Sequence, residues 1–378
     1  MILLFSSIYV LILLIYVCVV VVSFMKSGFD ACLVELLTDS AILSDLGQWQ
    51  TALLEGCLTV KELCLFSDNR VNMSCAYENG KEFLKSNTLV QSLASLSAQF
   101  EAYPVLSSHA LTAIKTLATH EEAVNIISQH NITDTLKNIL LYYQQHSIDV
   151  ISDDQSALKT VYLLMKSCLA LVRNLCVDDG RKKVVVDSGI LDLILYFLNE
   201  KDYFSDVGIV ESGLACLSNI CLRSTPNSRR VDELDGARLA AKCMRAYSTH
   251  GGILKQSCSM VRNIAARYPE SQPHFLDAGL EPLIRQAGSN RAIVDEAYAA
   301  LRDLHCEVKM VKVDASGHVT NAFESFGGSV GDHTHSDSCG HDVPPPAGKR
   351  ALNFNPVFEE TDQLADRIQC ESRAPFAT

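Results

Sequence analysis

An all-helical, repetitive fold is what this chain's sequence predicts, and three observations carry the expectation. The composition of its 378 residues is rich in Leu and Ala, while 10 prolines, 19 glycines and 7% aromatic residues are modest, a balance that favours helices over strands. A six-residue motif, "LVRNLC" at 171–176, returns as "CLSNIC" at 216–221, "MVRNIA" at 260–265 and "ALRDLH" at 300–305. Upstream of each copy lies a second shared stretch, of which "VVVDSGILDLILYFL" at 184–198 is the clearest and "HFLDAGLEPLIRQA" an echo. Self-similarity at a fixed period is the signature of a stacked helical array.

Each repeat resolves into the same elements in order. A short apolar helix comes first and stops at a residue able to take a left-handed backbone, namely Gly28, Asn87, Asn131, Gly189, Gly236 and Gly279. Glycine takes that conformation without strain and asparagine at small cost, so a sharp bend into a second helix is expected. The second helix, such as Ile190–Asn199, ends in a polar loop. A third helix then runs to the motif, whose equivalent positions are Glu62, Thr116, Asn174, Asn219, Asn263 and Asp303. The three asparagines are separated by 45 and 44 residues, within the period of three-helix repeats. Two junctions are longer, "SDNRVNMSCAYENG" and "QQHSIDVISDDQSA", and both read as polar surface loops.

Six units, the first and last partial, are expected over residues 25–308. Residues 309–378 are rich in Gly, Ser, His and Pro and lack an apolar period, so this tail is expected to be disordered. Residues 2–24, "ILLFSSIYVLILLIYVCVVVVSF", carry no charge and are long enough to span a bilayer. Two readings of segment 1–24 stand together: a transmembrane or signal anchor, and a misannotated or truncated start. The second draws on the bend at Gly28, which places the first short helix inside the apolar run.

Three helices per unit, a glycine bend and an asparagine on the third helix resemble the armadillo repeat family. The resemblance runs over roughly residues 24–308, and "CSMVRNIAA", "LDAGLEPLIRQA" and "AYAALRDLHCEV" are its most specific stretches. It implies an armadillo-type right-handed α-solenoid, a non-enzymatic scaffold without cofactor, cytoplasmic or nuclear, that binds other proteins. Family members hold extended peptides on the concave surface made by the third helices. By resemblance, Asn174, Asn219 and Asn263 are the groove asparagines. One departure narrows the expectation. Grooves that bind nuclear-import signals place Trp one turn before the asparagine, whereas this chain has Ala170, Ala215 and Ser259, and its single tryptophan, Trp49, lies elsewhere.

Immediately before the repeated position stand Lys61, Lys115, Arg173, Ser218, Arg262 and Arg302, five of the six basic in a chain of net charge −12. One reading is a positive stripe, with Arg173, Arg262 and Arg302 in its clearest units, that attracts an acidic or phosphorylated segment. The other is ion pairing with acidic groups of neighbouring units, since a residue one place along a helix is rotated by about 100°. The asparagines likewise have two roles open to them: contact with a ligand, or an amide bond between adjacent third helices.

Other chemistry is sparse. The acidic balance argues against a nucleic-acid partner. No phosphate loop, dinucleotide fingerprint or nucleophile elbow is present, and "HEEAVN" lacks the second histidine of a zinc-protease helix. His333, His335, Cys339 and His341 are weak metal candidates, because their spacing matches no folded zinc knuckle. The 14 cysteines are scattered within helices without paired knuckles, as expected of buried free thiols in a reducing compartment. A membrane partner follows only if residues 2–24 are a genuine anchor, and a single-pass protein with the array facing the cytosol is then the expectation.

Overall fold

The computed structural model describes residues 28–65, 75–118, 121–146, 155–313 and 319–324. Helices stack in units of three. In the first unit the second helix is α1 (Phe29–Thr38), followed by a short α2 (Ser40–Ser44) and a long third helix α3 (Leu46–Cys64). The second unit is α4 (Cys75–Leu84), α5 (Asn87–Ser97) and α6 (Pro104–Leu117). Then come α7 (Glu121–Ile127), α8 (Ile132–Gln145) and α9 (Gln155–Leu175). The fourth unit is α10 (Asp179–Asp187), α11 (Ile190–Asn199), a one-turn α12 (Lys201–Phe204) and α13 (Val207–Cys221). The fifth is α14 (Thr225–Glu233), α15 (Gly236–Ala246) and α16 (Gly251–Ala265), and the sixth α17 (Gln272–Asp277), α18 (Leu280–Ala287) and α19 (Val294–Asp303).

Local chemistry sets these boundaries. Asp39, Asp45 and Asp206 accept backbone N–H groups at the starts of α2, α3 and α13, satisfying donors that a helix leaves unpaired. Proline opens α6, α14 and α17, where a missing N–H costs nothing. Gly28, Asn131, Gly189 and Gly279 all have positive φ and lead directly into the second helices.

Two of the six expected bend residues are corrected. Asp235, not Gly236, holds the left-handed conformation with φ 65°. Gly236 is needed for space, because a Cβ there would lie 2.8 Å from the Val231 carbonyl oxygen. In the second unit no left-handed residue occurs; Ser86 is extended and its hydroxyl accepts from Leu89 N, so Asn87 is simply the first residue of α5.

One continuous apolar core runs from Leu33 to Leu304. No unit encloses its own apolar faces, so each third helix packs on the next: α3 on α6, α6 on α9, α9 on α13, α13 on α16, α16 on α19. Phe83, Phe197 and Phe275 are fully buried, and Phe197 meets Tyr203 edge-on at 4.6 Å between ring centroids. Polar bonds also cross units: Tyr203 Oη donates to the Tyr143 carbonyl at 3.1 Å, and Lys242 Nζ to that of Leu198 at 3.1 Å.

Three stretches depart from expectation or lie outside the described residues. The second half of the "SDNRVNMSCAYENG" stretch is helical, because Ala76 and Phe83 give α4 a buried side and Asn79 donates to the Leu63 carbonyl at 2.8 Å. Within the segment expected to be disordered, β1 (Val308–Val313) pairs antiparallel with β2 (Val319–Glu324), in the register Val308 opposite Glu324 and Val313 opposite Val319. The local alternation in "VKMVKV" is that of a strand, which the Gly- and Ser-rich composition downstream outweighed. The apolar run 2–24, most of the tail, and His333, His335, Cys339 and His341 lie outside the described residues. Among the described residues no helix is long and apolar enough to cross a membrane.

Candidate functional site

A helix leaves its last four carbonyls without an intrahelical donor, and the repeated asparagines sit where those carbonyls end the neighbouring third helix. Asn174 Nδ2 on α9 donates to the carbonyls of Lys115 at 3.2 Å and Ala118 at 3.3 Å, at the end of α6. Asn219 Nδ2 on α13 donates to the Arg173 carbonyl at 3.3 Å. Asn263 Nδ2 on α16 donates to the Ser218 carbonyl at 2.9 Å and to Ser218 Oγ at 3.1 Å. The amide nitrogens therefore tie α9 to α6, α13 to α9 and α16 to α13. All three asparagines are half-buried. Among the described residues their side-chain oxygens accept no hydrogen bond, so each of these three units presents one amide acceptor along the same row.

One turn earlier the row is small. Thr112, Ala170, Ala215, Ser259 and Ala299 occupy it from the second unit onward, with Leu58 in the first, and the Thr112 hydroxyl is 2.9 Å from Ser167 Oγ on α9. Trp49 stands 37% exposed near the start of α3, well away from this row. Among the described residues no aromatic side chain occupies this row.

The bases divide into two groups. Arg302 reaches Asp303 at 2.7 Å, and Arg262 approaches the same carboxylate at 4.0 Å. Lys61 pairs with its own neighbour Glu62 at 3.2 Å. By contrast, among the described residues the Arg173 guanidinium has no ion pair or hydrogen bond. The structure thus brings Arg262 and Arg302 together on one acid and leaves Arg173 apart, half-buried beside Asn174.

Sequence reasoning missed Ser218, whose backbone and hydroxyl both receive Asn263, and it missed Asp303 as a charge partner. A carboxylate at the asparagine position cannot donate to the Arg262 carbonyl; it turns to the Arg262 side chain instead. That exchange of residue type was the available signal.

Elsewhere the surface offers little chemistry. Cys57, Cys64, Cys176, Cys221, Cys243 and Cys258 are free and buried, and burial pushes each thiol up to about 12. Such thiols stay protonated and unreactive. Asp178, which caps α10, is drawn upward by burial, but the backbone N–H and guanidinium of Arg181 more than offset this and hold its carboxyl below the usual range. A cavity of about 330 Å³ beside it is lined by Ser128, Thr133 and Val184 among others, and no group of three or more His, Cys, Asp or Glu converges anywhere among the described residues.

No protein-family model and no curated protein matches this sequence. Solved structures do match. The chain is similar to a designed armadillo repeat protein, YIII(Dq)4CqI, with a TM-score of 0.55 and 17% identity, over 72% of this chain and 98% of that one. A second designed armadillo repeat protein, solved in complex with the peptide (KR)4, aligns with a TM-score of 0.53 and 15% identity over 72% and 98%. Computationally designed armadillo repeat proteins for modular peptide recognition align with a TM-score of 0.52 and 16% identity over the same shares. The fold is an armadillo-type α-solenoid.

Proposed function

We propose that the chain is a non-enzymatic armadillo scaffold that binds an extended segment of another protein along its third-helix surface. The observation that carries the reading is the row of asparagine oxygens. Nδ2 of each residue is engaged by the fold while Oδ1 is left to accept. Amide oxygens at a regular interval, without a donor among the described residues, suit the regularly spaced N–H groups of an extended backbone, which no compact ligand supplies. Asn174, Asn219 and Asn263 are assigned the backbone contacts. Arg173 gives the surface its preference for acidic over basic segments, while Arg262 and Arg302, assigned to the same groove, share the carboxylate of Asp303. A designed protein of the same fold is in complex with the basic peptide (KR)4, which supports the mode of binding. The bases flanking this chain's asparagines argue for a partner of opposite sign.

At a finer level, "CSMVRNIAA", "LDAGLEPLIRQA" and "AYAALRDLHCEV" are similar to the C-terminal repeats of armadillo repeat-containing protein 6. We infer a relationship to that protein from these stretches, and assign the array to the cytoplasm or nucleus. Net charge −12 supports a protein partner over a nucleic acid. A membrane-tethered adaptor is the alternative, and it rests wholly on the hydropathy of residues 2–24. Fractionation of the full chain beside a version lacking residues 1–24 separates the two, since equal solubility rejects the tether.

The groove assignment is tested by affinity purification with Ala170→Glu and Ser259→Glu combined, both on half-buried positions of the small row. A Val184→Glu control sits on α10, where Val184 is 55% exposed. Loss of partner proteins from the double variant alone is expected. Equal recovery from all forms would reject the groove.

A further inference from the structure

The arginines beside the repeated position, Arg173, Arg262 and Arg302, differ in their electrostatic situation, and the last unit explains why. In three units an asparagine reaches the final-turn carbonyl of the preceding third helix, at Lys115, Arg173 and Ser218. The fourth equivalent carbonyl belongs to Arg262, and the residue that should reach it is Asp303. Having no N–H, Asp303 places its carboxylate between two guanidinium groups, 2.7 Å from Arg302 and 4.0 Å from Arg262. Its side chain is 13% exposed while the two arginines are 43% and 48% exposed. The carboxylate is therefore held inside a pair of cations that themselves remain open to solvent.

Resting on the groove reading above, we propose that Asp303 is a built-in anionic occupant of the C-terminal end of the groove. It satisfies Arg262 and Arg302 in the place where a bound segment would otherwise offer a carboxylate. The array then reads an acidic side chain of its partner at one place, Arg173, whose guanidinium has no partner among the described residues. The occupant is an extended protein segment with a carboxylate opposite Arg173 and uncharged or small side chains toward Asp303. Changing Asp303 to asparagine removes the competing charge and also offers an amide N–H to the Arg262 carbonyl, which otherwise accepts from Ala266 N at 3.0 Å. The groove would gain a fourth amide and two free cations.

The test is fluorescence anisotropy of the full chain with a dye-labelled, capped decapeptide of alternating Glu and Thr, beside its Lys–Thr and Gln–Thr counterparts. The expected order for the unaltered chain is Glu–Thr over Gln–Thr over Lys–Thr. Arg173→Gln should weaken the Glu–Thr peptide about threefold, as expected for one partly exposed ion pair. Asp303→Asn should tighten it by about three- to fivefold, and adding Arg262→Gln and Arg302→Gln should erase that gain. An unchanged affinity for Asp303→Asn, or a gain that survives loss of both arginines, overturns the assignment of Asp303. Absence of Glu–Thr binding in both the unaltered and Asp303→Asn chains overturns it too. The groove itself stands or falls separately, on recovery of natural partners by the Ala170→Glu, Ser259→Glu variant.

Discussion

Replacing Asn263 with alanine separates what the amide does for the fold from what it does for a ligand. Its Nδ2 makes two bonds, to the Ser218 carbonyl at 2.9 Å and to Ser218 Oγ at 3.1 Å. A neutral hydrogen bond contributes about 0.5–1.5 kcal/mol net, and an abandoned partner adds roughly 1 kcal/mol if water does not reach it. The Ser218 carbonyl lies in the last turn of α13, and Leu222 N bonds instead to Asn219, so that oxygen has no helical donor to fall back on. Ser218 is 5% exposed, which limits rescue by water. The expected loss is about 2 kcal/mol. Asn263→Asp should cost more, because a carboxylate facing a carbonyl repels where the amide attracted. Thermal unfolding should fall by roughly 4 °C if the array melts as a unit. Stacked repeats also open locally, so hydrogen exchange should show the loss concentrated in α13 and α16. Stability within about 0.3 kcal/mol of the unaltered chain, well under one net hydrogen bond, would refute the reasoning and leave the whole amide to a ligand.

Further expectations follow from the same geometry. Gly236→Ala forces a Cβ within 2.7 Å of Val231 Cγ1 and should destabilise by about 1–3 kcal/mol, the usual cost of overpacking, as read by urea unfolding. Among the described cysteines, maleimide labelling of the native chain, mapped by mass spectrometry, should modify exposed Cys32 first and half-buried Cys306 after it. Cys57 and Cys258, pushed up to about 12 by burial, should react only on unfolding. Asp178 has its folded pKa depressed, so its contribution to stability is present above the ordinary carboxylate range and lost as pH falls through the folded value. Asp178→Asn should accordingly flatten the acid side of a stability-versus-pH curve, measured by thermal melts.

Much of this architecture was legible in the sequence because the stacking period and the helix period both leave marks. The 45- and 44-residue spacing of Asn174, Asn219 and Asn263 placed the third helices, and four of the expected bend residues have positive φ. Gly236 was misread because a glycine in a bend suggests backbone freedom. Here the glycine answers a steric demand from Val231, while Asp235 tolerates the left-handed turn. Asn87 failed for the reverse reason: Ser86, an extended cap, does the work of a bend. The strand pairing after Val308 was hidden by a composition that argues for disorder over a longer window. Least legible were the contacts of the site. Asn174 meets Lys115, and Arg262 meets Asp303, only because neighbouring units stack in one register. No pattern within a single unit records that.

The central claim, that a partner lies along the third-helix surface, is tested most directly by site-specific photo-crosslinking in cells. A benzoylphenylalanine placed at Ala170 or Ser259 is compared with one at Val184, exposed on α10. Covalent capture of another polypeptide is expected from positions 170 and 259, competed by an excess of the Glu–Thr peptide, and none from 184. Capture from 184 alone, or capture from 170 and 259 that no peptide competes, would contradict it.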